Sequence, residues 1–283
     1  MRNWRSRLRI GLSVEGVAVL RTSGLWRRNT SIVADQNMDA DLADKPEQCA
    51  QRLSSILKDA QCTGMPAEIV IDDKWARLFI VTPPANASRF QDCRAAAQMR
   101  FNELYGEVGN TTDWLISADW HAIRPFLACA IPKVLVDCIQ SSLQQQRCHL
   151  MSMTPHFITS LNRWHTAFNG DAWFGVVHDN NLALGVMAQG NWCAVRSVAI
   201  PDNKLEHAWL QTHVTREALR LNVQTPAQIQ ICGNQRALSA AALKASSTTG
   251  MTIVNLEGTA QTSKQSGVLT PAMALARTGM RWG

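Results

Sequence analysis

Residues 173–198 read WFGVVHDNNLALGVMAQGNWCAVRSV, and this stretch decides the fold. Three apolar runs, 173–177, 182–187 and 192–198, are interrupted by Asn180-Asn181 and Gly190-Asn191. Such pairs supply the backbone conformations that join antiparallel strands, so the spacing predicts a three-stranded meander. A helix is expected over 204–221, with Leu205, Trp209, Val214, Leu219 and Leu221 available for burial. The strand 229–232, a helix after Gly233, the strand 251–254, a polar loop over 259–267 and a short helix from Pro271 complete this half.

The first half carries the same order. Residues 7–12 and 17–22 alternate as strands, with Ser13-Val14-Glu15-Gly16 as their turn and a third strand near 30–34. The acidic segment 35–44 reads as a loop, and Pro46 opens a helix whose Leu53, Ile56, Leu57 and Ala60 share one face. A buried strand follows at 69–71. An extra block comes next: a strand over 75–81, a long helix with Ser88 as its N-cap, and strands at 114–120 and 125–130 joined by a turn at His121. In that helix Phe90, Phe101 and Leu104 are expected to face inward. A helix from Pro132, a strand over 150–153 and a helix from Thr154-Pro155 return to the shared order. The division is therefore 1–170 and 171–283, with an inserted block at about 75–131.

Composition agrees with a folded chain of this size. At about 150 residues per domain, 283 residues suggest two domains, and 46% hydrophobic with 18% charged residues excludes a wholly disordered chain. A net charge of +6 is small for a nucleic-acid binder, so none is expected as partner. The eight cysteines form no C-x-x-C and lie mostly in apolar runs, as in a reducing compartment. The basic start, with Glu15 directly after Ile10-Gly11-Leu12-Ser13, does not read as a signal peptide.

The duplicated order resembles the actin-like (ribonuclease H-like) fold shared by actin, Hsp70 and sugar kinases: α/β, with a small α+β insertion in the first half. The insertion resembles that of FtsA and PilM, and the same branch holds the cytoplasmic domain of GspL. Three passages carry the likeness: Trp75-Ala76-Arg77-Leu78-Phe79-Ile80-Val81-Thr82-Pro83-Pro84 as the strand into the insertion, Arg89 through Gly106 as its helix, and Leu127-Ala128-Cys129-Ala130-Ile131-Pro132 as the return.

Active members of this superfamily hold nucleotide between the halves with a D-x-G-[ST] loop in the first hairpin. Here Ser13 stands where that aspartate would be, and Glu15 where the glycine would be. A carboxylate there repels phosphate and crowds its approach. The second such loop corresponds to Val177-His178-Asp179-Asn180-Asn181, where Asp179 is either a cleft acid or a turn residue. Of the adenosine loop only Gly233 remains, and a plain strand-to-helix turn accounts for it equally. No cofactor is therefore expected, and ATP or ADP with Mg²⁺ is the alternative.

Other chemistry finds little support. Cys148-His149 are adjacent, and His207 and His213 stand six apart; neither spacing builds a tetrahedral metal site. G-x-S-x-G, G-x-G-x-x-G and G-x-x-x-x-G-K-[ST] are all missing. Trp4 and Trp26 are flanked by Arg2, Arg5, Arg7, Arg9, Arg27 and Arg28, either a solvated basic edge or a contact for anionic lipid or an acidic partner segment.

The resemblance implies a non-catalytic scaffold, cytoplasmic and peripheral to a bacterial inner membrane. It would serve a type IV pilus or type II secretion platform by gripping the cytoplasmic tail of a small inner-membrane assembly protein near the insertion. Arg89, Arg94 and Arg100 are the expected basic contacts. The alternative is an ATP-binding or ATP-hydrolysing enzyme of the actin, Hsp70 and sugar-kinase superfamily.

Overall fold

A computed structural model describes residues 6–24, 29–38, 45–106, 111–168, 170–201, 205–233, 250–257 and 269–279. The first sheet is built from β1 (Ser6–Ser13), β2 (Gly16–Ser23), β3 (Asn29–Asn37), β4 (Pro66–Ile71) and β8 (His149–Pro155). Its order is β3-β2-β1-β4-β8, with the first three antiparallel and β1, β4 and β8 parallel. The second sheet holds β9 (Ala172–His178), β10 (Asn181–Ala188), β11 (Asn191–Ala199), β12 (Gln228–Gly233) and β13 (Thr252–Asn255). Its order, β11-β10-β9-β12-β13, repeats the first sheet with the same directions.

The duplication extends to which faces are buried. Leu8, Ile10 and Leu12 of β1 point toward helices α1 (Pro46–Asp59) and α3 (Lys133–Gln145), packing with Leu53, Leu57, Leu135 and Ile139. In the second sheet Trp173 and Val177 of β9 face α5 (His207–Leu221), packing with Leu210, Val214 and Ala218. Period-two alternation sends the intervening residues to the opposite faces. There Ala18 and Leu20 meet the terminal helix α6 (Pro271–Arg277), while Phe174, Val176 and Ala183 meet α4 (His156–Trp164). Every residue of β9 is buried, as expected of a strand covered on both sides.

Two close approaches fix these layers. α6 lies so near β1 that a Cβ on Gly11 would overlap the Ala272 carbonyl. Arg9 then holds the end of α6 through the carbonyls of Thr278 (2.6 Å) and Ala276 (3.3 Å). In the second sheet Gly185 leaves room for the fully buried ring of Phe157, which stands 5.6 Å from Phe174. Phe157 thus ties α4 to the second sheet, and its burial stabilises that contact by about 1.5–3 kcal/mol.

The insertion is a sheet of its own, β5 (Arg77–Val81), β6 (Trp114–Ala118) and β7 (Phe126–Pro132), in the order β5-β7-β6. Helix α2 (Phe90–Tyr105) covers one face with Cys93, Ala97 and Phe101 against Phe79, Val81 and Phe126. Leu78, Ile80 and Leu127 of the other face pack with Phe174 and Trp192 of the second half.

Several local expectations are corrected. The hairpin turns sit one residue earlier, at 179–180 and 189–190, because His178 pairs with Asn181 and Ala188 with Asn191. β3 runs on to Asn37 within the segment read as a loop. Ser88 does not cap α2; the Asp92 carboxylate accepts the N–H groups of Ser88 (3.1 Å) and Arg89 (3.0 Å) instead. Phe90 (57% exposed) and Leu104 (44%) face outward, because Cys93, Ala97 and Phe101 alone fill the inner stripe. Leu219 is exposed at the rear of α5. The helix expected after Gly233 and the loop 259–267 lie outside the described residues.

Candidate functional site

The ends of β1, β4 and β9 come together where the two halves meet. Asp72 follows β4 directly, and its N–H donates to the Leu12 carbonyl (2.9 Å), which brings the turn 72–75 beside the first hairpin. From the second half, the β9–β10 turn presents His178 and Asp179 to the same turn. Two contacts result. Lys74 Nζ donates to Asp179 Oδ2 at 2.9 Å, with both side chains partly exposed. Behind them Asp72 Oδ2 and His178 Nε2 lie 3.5 Å apart, both buried and neither hydrogen-bonded.

Two further groups close the back. Phe157 N–H donates to both oxygens of Asp73 (2.9 and 3.1 Å), so this carboxyl caps α4. The His156 ring stands 5.0 Å from that of His178, edge to face, with its Nδ1 buried and unpartnered.

The environment sorts these groups by charge. Burial opposes ionisation of Asp72, but the facing His178 imidazole together with the N–H and charge of Lys74 outweighs it and holds the carboxyl below its usual range. Asp73 keeps some exposed surface, yet burial of its carboxyl pushes it up to about 7 against the opposing Phe157 N–H. Burial, helped by the neighbouring His178, pushes His156 down to about 3, so its ring is neutral at pH 7. Burial works against the charge on Lys74, but the hydrogen bond and charge of Asp179 prevail and raise its pKa.

The residues proposed from the sequence occupy this region in particular ways. Ser13 is fully buried, accepting the Glu15 N–H (3.1 Å) and donating to the Gly16 carbonyl (3.5 Å). Its hydroxyl closes the hairpin and has no capacity left for a ligand's oxygen. Glu15 is exposed and its charge reaches Lys74. Gly16 is required by β3, since a Cβ would collide with the Gln36 carbonyl. Asp179 has φ +54 and spends its carboxylate on Lys74. Gly233, at φ +106, lies against Val177, whose carbonyl a Cβ would overlap. Neighbouring backbone therefore accounts for Gly16 and Gly233, and Lys74 is paired with Asp179.

Asp72, Asp73, Lys74 and His156 were not singled out by sequence reasoning. The signal was present in Ile71-Asp72-Asp73-Lys74, three charged residues directly after an apolar strand. Among the described residues no three His, Cys, Asp or Glu side chains form a group that could hold a metal ion.

Arg89, directly before α2, and Arg94 and Arg100 on it are exposed, away from its buried stripe, and Arg100 pairs with Glu103 (2.9 Å). Of the basic residues near the start, Arg7 and Arg9 pair with Glu68 at 3.0 and 3.1 Å. Arg2, Trp4, Arg5, Trp26, Arg27 and Arg28 lie outside the described residues. No helix among the described residues is long and apolar enough to cross a membrane.

Two five-stranded sheets of matching order and direction, with a strand-helix-strand-strand insertion, define a duplicated actin-like fold. Solved structures agree. The chain is similar to PilM in a PilM–PilN type IV pilus biogenesis complex, with TM-score 0.58 and 13% identity over 90% of this chain and 89% of that one. It is similar to a protein of Bacteroides thetaiotaomicron with an actin-like ATPase fold and unknown function, with TM-score 0.55 and 8% identity over 89% and 91%. It is also similar to the cytoplasmic domain of EpsL, an inner-membrane component of the type II secretion system of Vibrio cholerae, with TM-score 0.51 and 8% identity over 80% and 81%. The chain matches no protein-family model and no curated protein sequence.

Proposed function

We propose that this protein is a non-catalytic actin-like scaffold that serves a pilus or secretion assembly platform at the cytoplasmic face of an inner membrane. Its task is to hold the cytoplasmic tail of a membrane partner, and the insertion is the place of contact. The likeness to PilM in its complex with PilN, and to the cytoplasmic domain of EpsL, supports the class of machine. The observation that carries the non-catalytic reading is the Lys74–Asp179 contact. It joins the halves with the charges that a phosphate and its metal would otherwise engage.

The cleft is tested by melting the protein with millimolar Mg-ATP or Mg-ADP. A ligand at a hundred times its dissociation constant would add about 2.7 kcal/mol, which is easily read in a melt. No shift is expected, and a clear upward shift favours the ATP-binding alternative. The partner contact is tested by titrating a platform protein's cytoplasmic tail against wild type and the Arg94→Glu/Arg100→Glu variant. Weaker binding with an unchanged melt is expected, since exposed substitutions usually cost no more than about 0.5 kcal/mol. Equal binding moves the contact away from this face of α2.

A further inference from the structure

Of the sheet edges among the described residues, one lacks the usual protection against pairing with another strand. β3 is paired through a bulge and carries Asp35; β8 has a bulge, His149 and Pro155; β13 is only four residues long. β11 carries a bulge and Arg196, and it lies against β5, the edge of the insertion sheet that bears Arg77. β6 is different. Its sequence, Trp114-Leu115-Ile116-Ser117-Ala118, has no charge, no proline and no bulge, and among the described residues it pairs only with β7.

The register shows which backbone groups are open. Asp119 N–H donates to the Leu127 carbonyl (3.1 Å), one step beyond the pair Ala118–Ala128. In an antiparallel ladder, bonded and non-bonded positions alternate. Leu115 and Ser117 therefore bond to β7, whereas the N–H and C=O groups of Trp114, Ile116 and Ala118 face outward. Leu115 and Ser117 are exposed on the sheet face away from α2, where Leu115 offers an apolar contact. The strand is bracketed by two exposed acids, Asp113 and Asp119. The nearby Arg77 stacks over the Trp114 ring at 5.7 Å and donates to the Lys74 and Ala76 carbonyls (3.3 Å each).

We infer that β6 is a strand-addition site for an extended peptide of about five alternating residues with a Lys or Arg at each end. The open edge sets the extended conformation, and Asp113 and Asp119 set the flanking charges. A membrane protein's cytoplasmic tail fits that description, because its segment beside the membrane span carries an excess of Lys and Arg; an acidic stretch elsewhere in the same tail is what Arg94 and Arg100 would hold. The identification of the occupant as a tail rests on the scaffold reading; the edge itself does not.

The probe is a synthetic peptide, Lys-Val-Thr-Val-Thr-Val-Lys, titrated against the full chain with amide hydrogen exchange as second readout. Binding is expected with protection gained at residues 114–118. At least tenfold weaker binding is expected for Ala118→Pro, which removes an outward N–H and no bond to β7. The same loss is expected for Asp113→Lys/Asp119→Lys, which changes two exposed side chains and serves if the proline variant does not fold. A peptide N-methylated at its five central residues keeps every side chain and should not bind. No binding at millimolar peptide, protection elsewhere, or equal affinity for the methylated peptide overturns the proposal. A platform tail that binds wild type and Ala118→Pro equally overturns the edge as its site and leaves the scaffold reading standing. A probe that pairs with β6 while platform tails do not bind overturns the scaffold reading alone.

Discussion

The β1–β2 and β9–β10 hairpins hold equivalent places in the two halves, yet they spend their polar groups in opposite directions. The first is closed on itself: Ser13 bridges Glu15 and Gly16 within the turn, and Gly16 lets β3 approach. The second reaches across, giving His178 to Asp72 and Asp179 to Lys74. One strand order thus supports a self-sufficient turn and a bridging turn. The difference puts these two contacts between the halves on the second hairpin.

The largest way to break this comparison is to disturb the close approaches that seat each hairpin's strands. Gly11→Ala drives a Cβ into the Ala272 carbonyl, where backbone cannot yield as a flexible side chain would. A loss of about 3 kcal/mol or more is expected in denaturant unfolding. Gly233→Ala should cost at least as much, because the Val177 carbonyl is in the way and φ +106 is strained for any side chain. Gly64→Ala is the control: φ is +72 but nothing lies within 4 Å, so only about 1–2 kcal/mol should be lost. Equal losses at all three glycines would mean that conformation, and not layer spacing, sets their cost.

A sharper test uses pH, because the buried groups behind the bridging hairpin titrate in opposite senses. His156 has a folded pKa of about 3, below its unfolded value near 6.5. Between those values the unfolded chain takes up a proton that the folded one refuses, so this residue lowers stability as pH falls. Asp73 has a folded pKa of about 7, above its unfolded value near 3.9. Over that interval the folded chain holds the extra proton, so Asp73 raises stability as pH falls. The two slopes nearly cancel between about pH 4 and 6.5 in wild type. Relative to it, His156→Leu should gain stability on acidification and Asp73→Asn should lose it, each by up to about 1.4 kcal/mol per pH unit. Parallel pH profiles for all three proteins would remove both groups from the account.

The fold was largely legible in the sequence, and the site only in part. Alternation in 7–22 and 173–198 and the helical stripe of α1 are local signals, and a strand order met twice constrains itself. The turns lie one residue earlier because Asp179 and Gln189 adopt positive φ, a conformation that Asn and Gly supply more commonly. Phe90 was misplaced for another reason. Hydrophobic type suggested the core, but the inner stripe was complete without it, and Phe90 rests on Trp120 at the rim (4.9 Å). The Asp72–His178 and Lys74–Asp179 contacts join residues more than a hundred positions apart. No local pattern encodes such pairs, since either partner alone reads as an ordinary turn residue.

The smallest expected effect belongs to the outer of these two bridges, and it separates them. Lys74 and Asp179 keep 36% and 22% of their side-chain surface exposed, whereas Asp72 and His178 keep 3% and 5%. A partly exposed pair gains little, because water already stabilises both charges and salt screens their attraction over about 10 Å at 0.1 M. A double-mutant cycle of Lys74→Met and Asp179→Asn should therefore give a coupling no larger than about 1 kcal/mol, shrinking as salt is raised. Asparagine suits position 179, since it adopts the left-handed conformation that this residue occupies at φ +54. Replacing Asp72 by Asn should cost more and depend less on salt, because it leaves a buried imidazole facing an amide in place of a carboxylate. A salt-independent coupling above 2 kcal/mol at Lys74–Asp179 would show that the outer pair is shielded from water, making it the principal fastening between the halves.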